Sequence, residues 1–188
     1  KQLSKVNTID ELKTYIEDFK RCPLYKDATN AVFSDGNPKS KIMLIGEAPG
    51  HDEDLQAKPF VGRSGKLLDK MLEAIDLNRE KVYIANIIPW RPPANRRPTE
   101  DEINSCLPFI LKHIEIIKPY ALMLLGSTAT FAILKNKEGI SKIRGKWVDL
   151  EINQLTIPTM PTFHPAFLLR QPGQKKHCLL YTSDAADE

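Results

Sequence analysis

The feature that most constrains this chain is a set of short apolar runs, each stopping abruptly in polar or glycine-containing backbone. Ile42-Met43-Leu44-Ile45 runs into Gly46-Glu47-Ala48-Pro49-Gly50. Val82–Ile88 carries Asn86 near its end, and Tyr120–Leu125 gives way to Gly126-Ser127-Thr128. A last run, Thr159–His164, leads into the motif Phe163-His164-Pro165-Ala166-Phe167-Leu168-Leu169-Arg170. Runs of this length, bounded by turn chemistry, read as buried strands. The segments between them have helical spacing. Leu67, Leu68, Met71, Leu72 and Ile75 make one stripe, and Ile9, Leu12, Tyr15, Ile16 and Phe19 make another within an N-terminal helix expected from residue 1. Thr99 with Glu102 three residues on is a capping box that opens a helix to about Ile117. A further helix runs from Gly126-Ser127-Thr128 to about Leu134.

Strands alternating with helices predict a three-layer α/β/α sandwich with a mainly parallel sheet. Trp147–Ile152 and Gln154–Pro158 read as a hairpin around Asn153. Residues 22–40, the charged stretch His51–Arg63, the proline- and arginine-rich stretch Pro89–Pro98 and the basic stretch Lys135–Lys146 read as loops. Parallel connectivity would gather Glu47, Asn86, Gly126-Ser127 and His164 at one edge of the sheet, where open α/β sheets hold their ligands.

Composition narrows the class. With 41% apolar and 27% charged residues, the chain matches ordinary soluble proteins, and no apolar run is long enough to span a bilayer. No signal peptide opens the chain, so a cytoplasmic setting is expected. A single domain is expected over residues 1–177. Residues 178–188 break from the preceding pattern and read as a non-native tail. Cys22, Cys106 and Cys178 form no CxxC pair and read as buried thiols rather than a disulfide framework or metal site. A net charge of +3 says little about nucleic acid by itself.

Four motifs in order carry a family resemblance. They are Gly46–Asp54, Lys58-Pro59-Phe60-Val61-Gly62-Arg63-Ser64-Gly65-Lys66-Leu67-Leu68, Asn86 ahead of Arg91-Pro92-Pro93, and His164–Arg170. Together they resemble family 4 uracil-DNA glycosylases, from about Cys22 to Lys176. The resemblance implies a central four-stranded parallel sheet between helices. It also implies a monofunctional glycosylase that flips uracil out of DNA, hydrolyses its N-glycosidic bond and leaves an abasic site for base excision repair.

On that resemblance His164 stabilises the charge developing at uracil O2, Asn86 reads O4 and N3–H, and Phe60 stacks on the flipped ring. Ala48 lies against the uracil, where sibling families carry Asp or Asn. Glu47 and Glu53 are the carboxylates available to place the water and stabilise the cationic sugar, with the choice between them open. Leu169 and Arg170 would wedge into the minor groove. Ser64, Gly65, Ser127 and Arg144 would meet the DNA backbone. The partner is uracil-containing DNA, met by a monomer, with no membrane association.

One departure stands out. Family 4 enzymes hold an iron–sulfur cluster on four cysteines. Cys22 and Cys106 match two of these, but Phe19 and Trp90 stand at the other two, so no cofactor is expected. Two rival readings remain: a non-catalytic binder of damaged or abasic DNA on the same fold, and a phosphate-binding α/β enzyme using Gly46–Gly50. The second lacks GxxxxGK[ST] and GxGxxG.

Overall fold

The computed structural model describes residues 2–177. In chain order the helices are α1 (Ile9–Glu17), α2 (His51–Gln56), α3 (Arg63–Glu73), α4 (Glu100–Ile117), α5 (Ser127–Leu134), α6 (Ile140–Ile143) and α7 (Pro165–Arg170). The strands are β1 (Asp35–Gly36), β2 (Ile42–Gly46), β3 (Tyr83–Asn86), β4 (Ala121–Leu125), β5 (Val148–Ile152) and β6 (Leu155–Thr162). They form one sheet in the order β1-β3-β2-β4-β6-β5. The central four are parallel, while β1 and β5 run antiparallel at the two edges. The expected four-stranded parallel centre is present, widened by an antiparallel strand on each side.

Period-two alternation assigns the layers. Met43, Ile45, Tyr83, Ala85, Leu122 and Leu124 share a core with residues of α1, α4 and α5. Leu44, Ile84 and Leu125 share the opposite core with Phe60 and with Leu68 and Leu72 of α3. Beyond it, Phe163 and Leu168 pack against Leu67 and Met71, which docks α7 on α3.

Capping follows the sequence closely. The Thr99 hydroxyl accepts from the Glu102 N–H at 3.2 Å and the Glu102 carboxylate accepts from the Thr99 N–H at 2.8 Å, closing the capping box of α4. The hairpin turns at Asn153 and Gln154, both with positive φ (46° and 67°), as a tight two-residue turn requires.

Four expectations are corrected. The charged stretch from His51 begins as a helix, because Asp52, Glu53 and Asp54 meet the positive end of the α2 backbone. Asp54 is itself buried and accepts from the Thr29 and Asn30 amides. The basic stretch 135–146 contains the short α6. The first α-helix starts at Ile9, where Thr8 caps the Glu11 amide, rather than at residue 1. The second hairpin arm and the last strand are one element, β6, which pairs with β5 through Leu155–Thr159 and with β4 through Thr159–Thr162. The tail expected at 178–188 lies outside the described residues.

Where α1, α4 and the segment after β3 meet, Cys22 and Cys106 are free thiols, fully buried and close enough to perturb each other's titration. The neighbouring thiol lowers the Cys22 pKa and raises that of Cys106. Phe19 stacks on Trp90 with ring centroids 6.3 Å apart and an 18° interplanar angle, and both meet the Phe109 ring edge-on.

Candidate active site

The C-terminal ends of the parallel strands open into a cleft of about 650 Å³. Each end contributes by the same logic: the strand is buried and rigid, and the residues at or just past its end face the cleft. Glu47 follows β2, Asn86 ends β3, Gly126-Ser127 follows β4 and His164 follows β6. All line the cleft, as do Ala48, Glu53, Phe60, Ser64 and Arg170. Gly65, Arg144 and Leu169 do not. Gly65 is buried beneath the Phe60 carbonyl. The Arg144 guanidinium lies 4.8 Å from the Phe163 ring centroid, and Leu169 is half-buried on α7.

Asn86 is over nine-tenths buried, and its Oδ1 has no hydrogen-bond partner among the described residues. A buried orphan acceptor is costly unless a ligand completes it. Gly46 explains how it stays accessible to one. A Cβ there would lie 2.5 Å from both Asn86 Oδ1 and the Phe60 ring, so only glycine leaves the floor of the cleft open.

Phe60 closes one side. Its φ is +55°, a left-handed conformation that costs a non-glycine residue about 1–3 kcal/mol. Its ring lies 5.6 Å from the imidazole of His164, with the planes 31° apart.

His164 is the N-cap of α7, and its Nδ1 accepts the Ala166 N–H at 3.1 Å. That bond places the ring proton of the neutral form on Nε2. Although half-buried by exposed surface, the ring is densely surrounded. Burial is the main reason its pKa falls to about 4; Arg170 lowers it further and Glu53 opposes. At neutral pH it is an uncharged donor.

The two carboxylates are held differently. Glu47 Oε2 accepts a short hydrogen bond from the Thr128 hydroxyl at the start of α5. Glu53 Oε1 accepts from the backbone amides of Val61 and Gly62 at 3.0 and 2.9 Å. Glu53 is therefore tied to the Phe60 loop.

Some cleft residues escaped the sequence reading. Thr128 is one; its signal was its place one residue into a helix opposite the Glu47 strand end. Asn95, Arg96 and Arg97 also line the cleft. The bidentate bond from Arg96 to Glu102 (2.9 and 2.6 Å) ties this arginine loop to the cap of α4 and holds Glu102 below the usual carboxylate range. Phe163 and Ser141 also line the cleft.

Comparison with known proteins decides the family. Residues 33–184 match the model of the uracil DNA glycosylase superfamily. The chain belongs to this superfamily. Within it, the chain is 41% identical over 176 residues to a type-4 uracil-DNA glycosylase of Saccharolobus solfataricus, covering 91% of this chain and 82% of that protein. It is 37% identical over 183 residues to the type-4 enzyme of Archaeoglobus fulgidus (95% and 90% covered), and 44% identical over 150 residues to that of Thermotoga maritima (79% and 77% covered). In this glycosylase fold the cleft lies at the parallel strand ends, and no helix among the described residues is long and apolar enough to cross a membrane.

Proposed function

We propose that the protein is a uracil-DNA glycosylase that extrudes uracil from DNA, hydrolyses its N-glycosidic bond and leaves an abasic site. The observation that carries the reading is the buried, unpartnered Oδ1 of Asn86 in a cleft shared with Phe60 and a neutral His164. A uracil stacked on Phe60 presents N3–H to this Oδ1 and O4 to the amide nitrogen. Cytosine lacks the N3 proton and would leave the acceptor orphaned, which is how a polar pocket rejects the wrong base.

Bond cleavage sends negative charge onto the departing base. The Nε2–H of His164 donates to O2 as that charge grows, and a donor already in place needs no reorganisation at the moment of reaction. Because its pKa is about 4, the imidazole stays an uncharged donor through the neutral range. Glu47, oriented by Thr128, places the attacking water and offsets the positive sugar. Arg96, Arg97, Arg170, Ser64 and Ser127 line the cleft and serve the phosphate backbone, where binding is salt-dependent. Arg144 and Leu169 serve the DNA outside the cleft. The protein acts as a monomer in the cytoplasm.

No iron–sulfur cluster takes part. Two buried thiols with a stacked phenylalanine and tryptophan beside them do not supply the four thiolates a cluster needs. Among the described residues, no group of three or more His, Cys, Asp or Glu is placed to hold a metal.

The test is uracil release from a uracil-containing oligonucleotide, read by alkaline cleavage. His164→Ala is expected to lower kcat about 100-fold or more. Asn86→Ala is expected to lower kcat/KM by a similar order while still binding abasic DNA. Damaged-strand binding without any release by the wild type would favour the non-catalytic binder instead.

A further inference from the structure

The loop that presents Phe60 is gripped from both sides by residues whose bonds go to its backbone. Arg79 is not among the residues lining the cleft, yet its Nη1 donates to the Pro59 carbonyl at 2.9 Å and its Nη2 donates to the Phe60 carbonyl. The same guanidinium is braced by Asp35 of β1 and Asp69 of α3, each at 2.8 Å. On the next two residues, the amides of Val61 and Gly62 donate to Glu53 Oε1. The four backbone groups around the left-handed bend at Phe60 are thus held by one cation and one carboxylate. Gly65 lets α3 start against the loop, because a Cβ there would collide with the Phe60 carbonyl.

A non-glycine residue keeps a left-handed conformation only when its surroundings over-determine it. We propose that Arg79 and Glu53 are positioning residues that clamp this bend and so hold the Phe60 ring ready for the flipped base. The proposal rests on the reading that Phe60 stacks on uracil. It assigns Glu53 to the loop through the hydrogen bonds its carboxylate oxygen accepts, and it gives Arg79 a role that acts entirely through Phe60. An arginine is needed because its planar fork spans two carbonyls and two carboxylates together, whereas a lysine is a point charge.

The test compares two oligonucleotide probes. One carries uracil on 2′-fluoroarabinose, which resists cleavage; the other carries a tetrahydrofuran abasic analogue. The ratio of their Kd values reports base capture and is insensitive to loss of folded protein or to backbone contacts. Phe60→Ala is expected to weaken the uracil probe about tenfold relative to the abasic one, as for loss of one base–aromatic stack. Arg79→Met is expected to shift the ratio in the same direction by several-fold. In the Phe60→Ala background the Arg79 change should add less than twofold, because a clamp has nothing left to position. Glu53→Ala should shift the ratio, while Glu53→Gln, which keeps an acceptor oxygen and loses the charge, should restore it; this pair carries the test if Arg79→Met does not fold.

Full additivity of Arg79→Met and Phe60→Ala would overturn the proposal, as would a Glu53→Gln ratio as poor as that of Glu53→Ala. An unchanged ratio in Phe60→Ala would instead remove the stacking reading, and the clamp with it.

Discussion

At the residue scale, the site depends on side chains whose freedom has been removed by a neighbour. Glu47 illustrates this. A glutamate at a strand end has several rotamers, and the hydrogen bond from Thr128 selects one. A charge-assisted bond of this kind contributes about 1.5–3 kcal/mol, so its loss should be visible in turnover. Thr128→Val is expected to lower kcat about tenfold with KM changed less than twofold, and Thr128→Ser to recover most of the rate. Single-turnover kinetics on a uracil oligonucleotide measures both; an unchanged kcat in Thr128→Val would detach Thr128 from the chemistry. His164 was legible because its motif is specific. Its tautomer was not, since that depends on the Ala166 amide accepted by Nδ1.

At the scale of elements, the seam between α1, α4 and the segment after β3 is held by packed aromatic rings. Phe19, Trp90 and Phe109 bring three rings together beside the Cys22–Cys106 pair. Trp90 is 4% exposed, so its indole fills core volume. Truncating a buried aromatic costs about 3–5 kcal/mol. Trp90→Ala should therefore lower stability by that order in urea denaturation, with no iron in the purified wild type to hold the seam together. Stoichiometric iron by elemental analysis would refute the aromatic replacement. The helices themselves were readable where they carry caps, as at Thr99. α2 was missed because its first turn is acidic and charge alone read as loop; the helix shows only when Asp54 turns inward onto the Thr29 and Asn30 amides.

At the scale of the whole molecule, folding keeps two histidines uncharged. His113 of α4 lies fully inside, with Nδ1 3.0 Å from the Tyr83 hydroxyl and its ring 4.7 Å from that of Phe33. Burial pushes its pKa down to about 3 and pushes Tyr83 up to about 12. With His164 at about 4, both folded-state values lie below the unfolded value near 6.5. The sign follows. Above pH 6.5 neither state binds these protons and stability is undiminished. As pH falls below 6.5 the unfolded chain takes up protons that the folded chain refuses, so stability drops, and it levels off only below the folded values. Each histidine contributes a slope of about 1.4 kcal/mol per pH unit in that window. His113→Gln keeps an acceptor for Tyr83 and does not titrate; its denaturation midpoints between pH 6.5 and 4 should fall about half as steeply as those of the wild type. An identical slope would show that the buried histidine is not the source.

The sequence by itself determined the strands, the alternation that makes the sandwich, the order of the motifs and the family they resemble. These depend on local periodicity and on residues adjacent in the chain, so the physics that sets them is contained in short windows. Tertiary structure alone decided which partner each group around the cleft would meet: Thr128 on Glu47 across 81 residues, Arg79 on the Phe60 carbonyl across 19, and an Asn86 oxygen left without one among the described residues. Hydrogen bonds between distant residues exist only after the sheet has brought strand ends together, and nothing in a local pattern encodes which ends those will be.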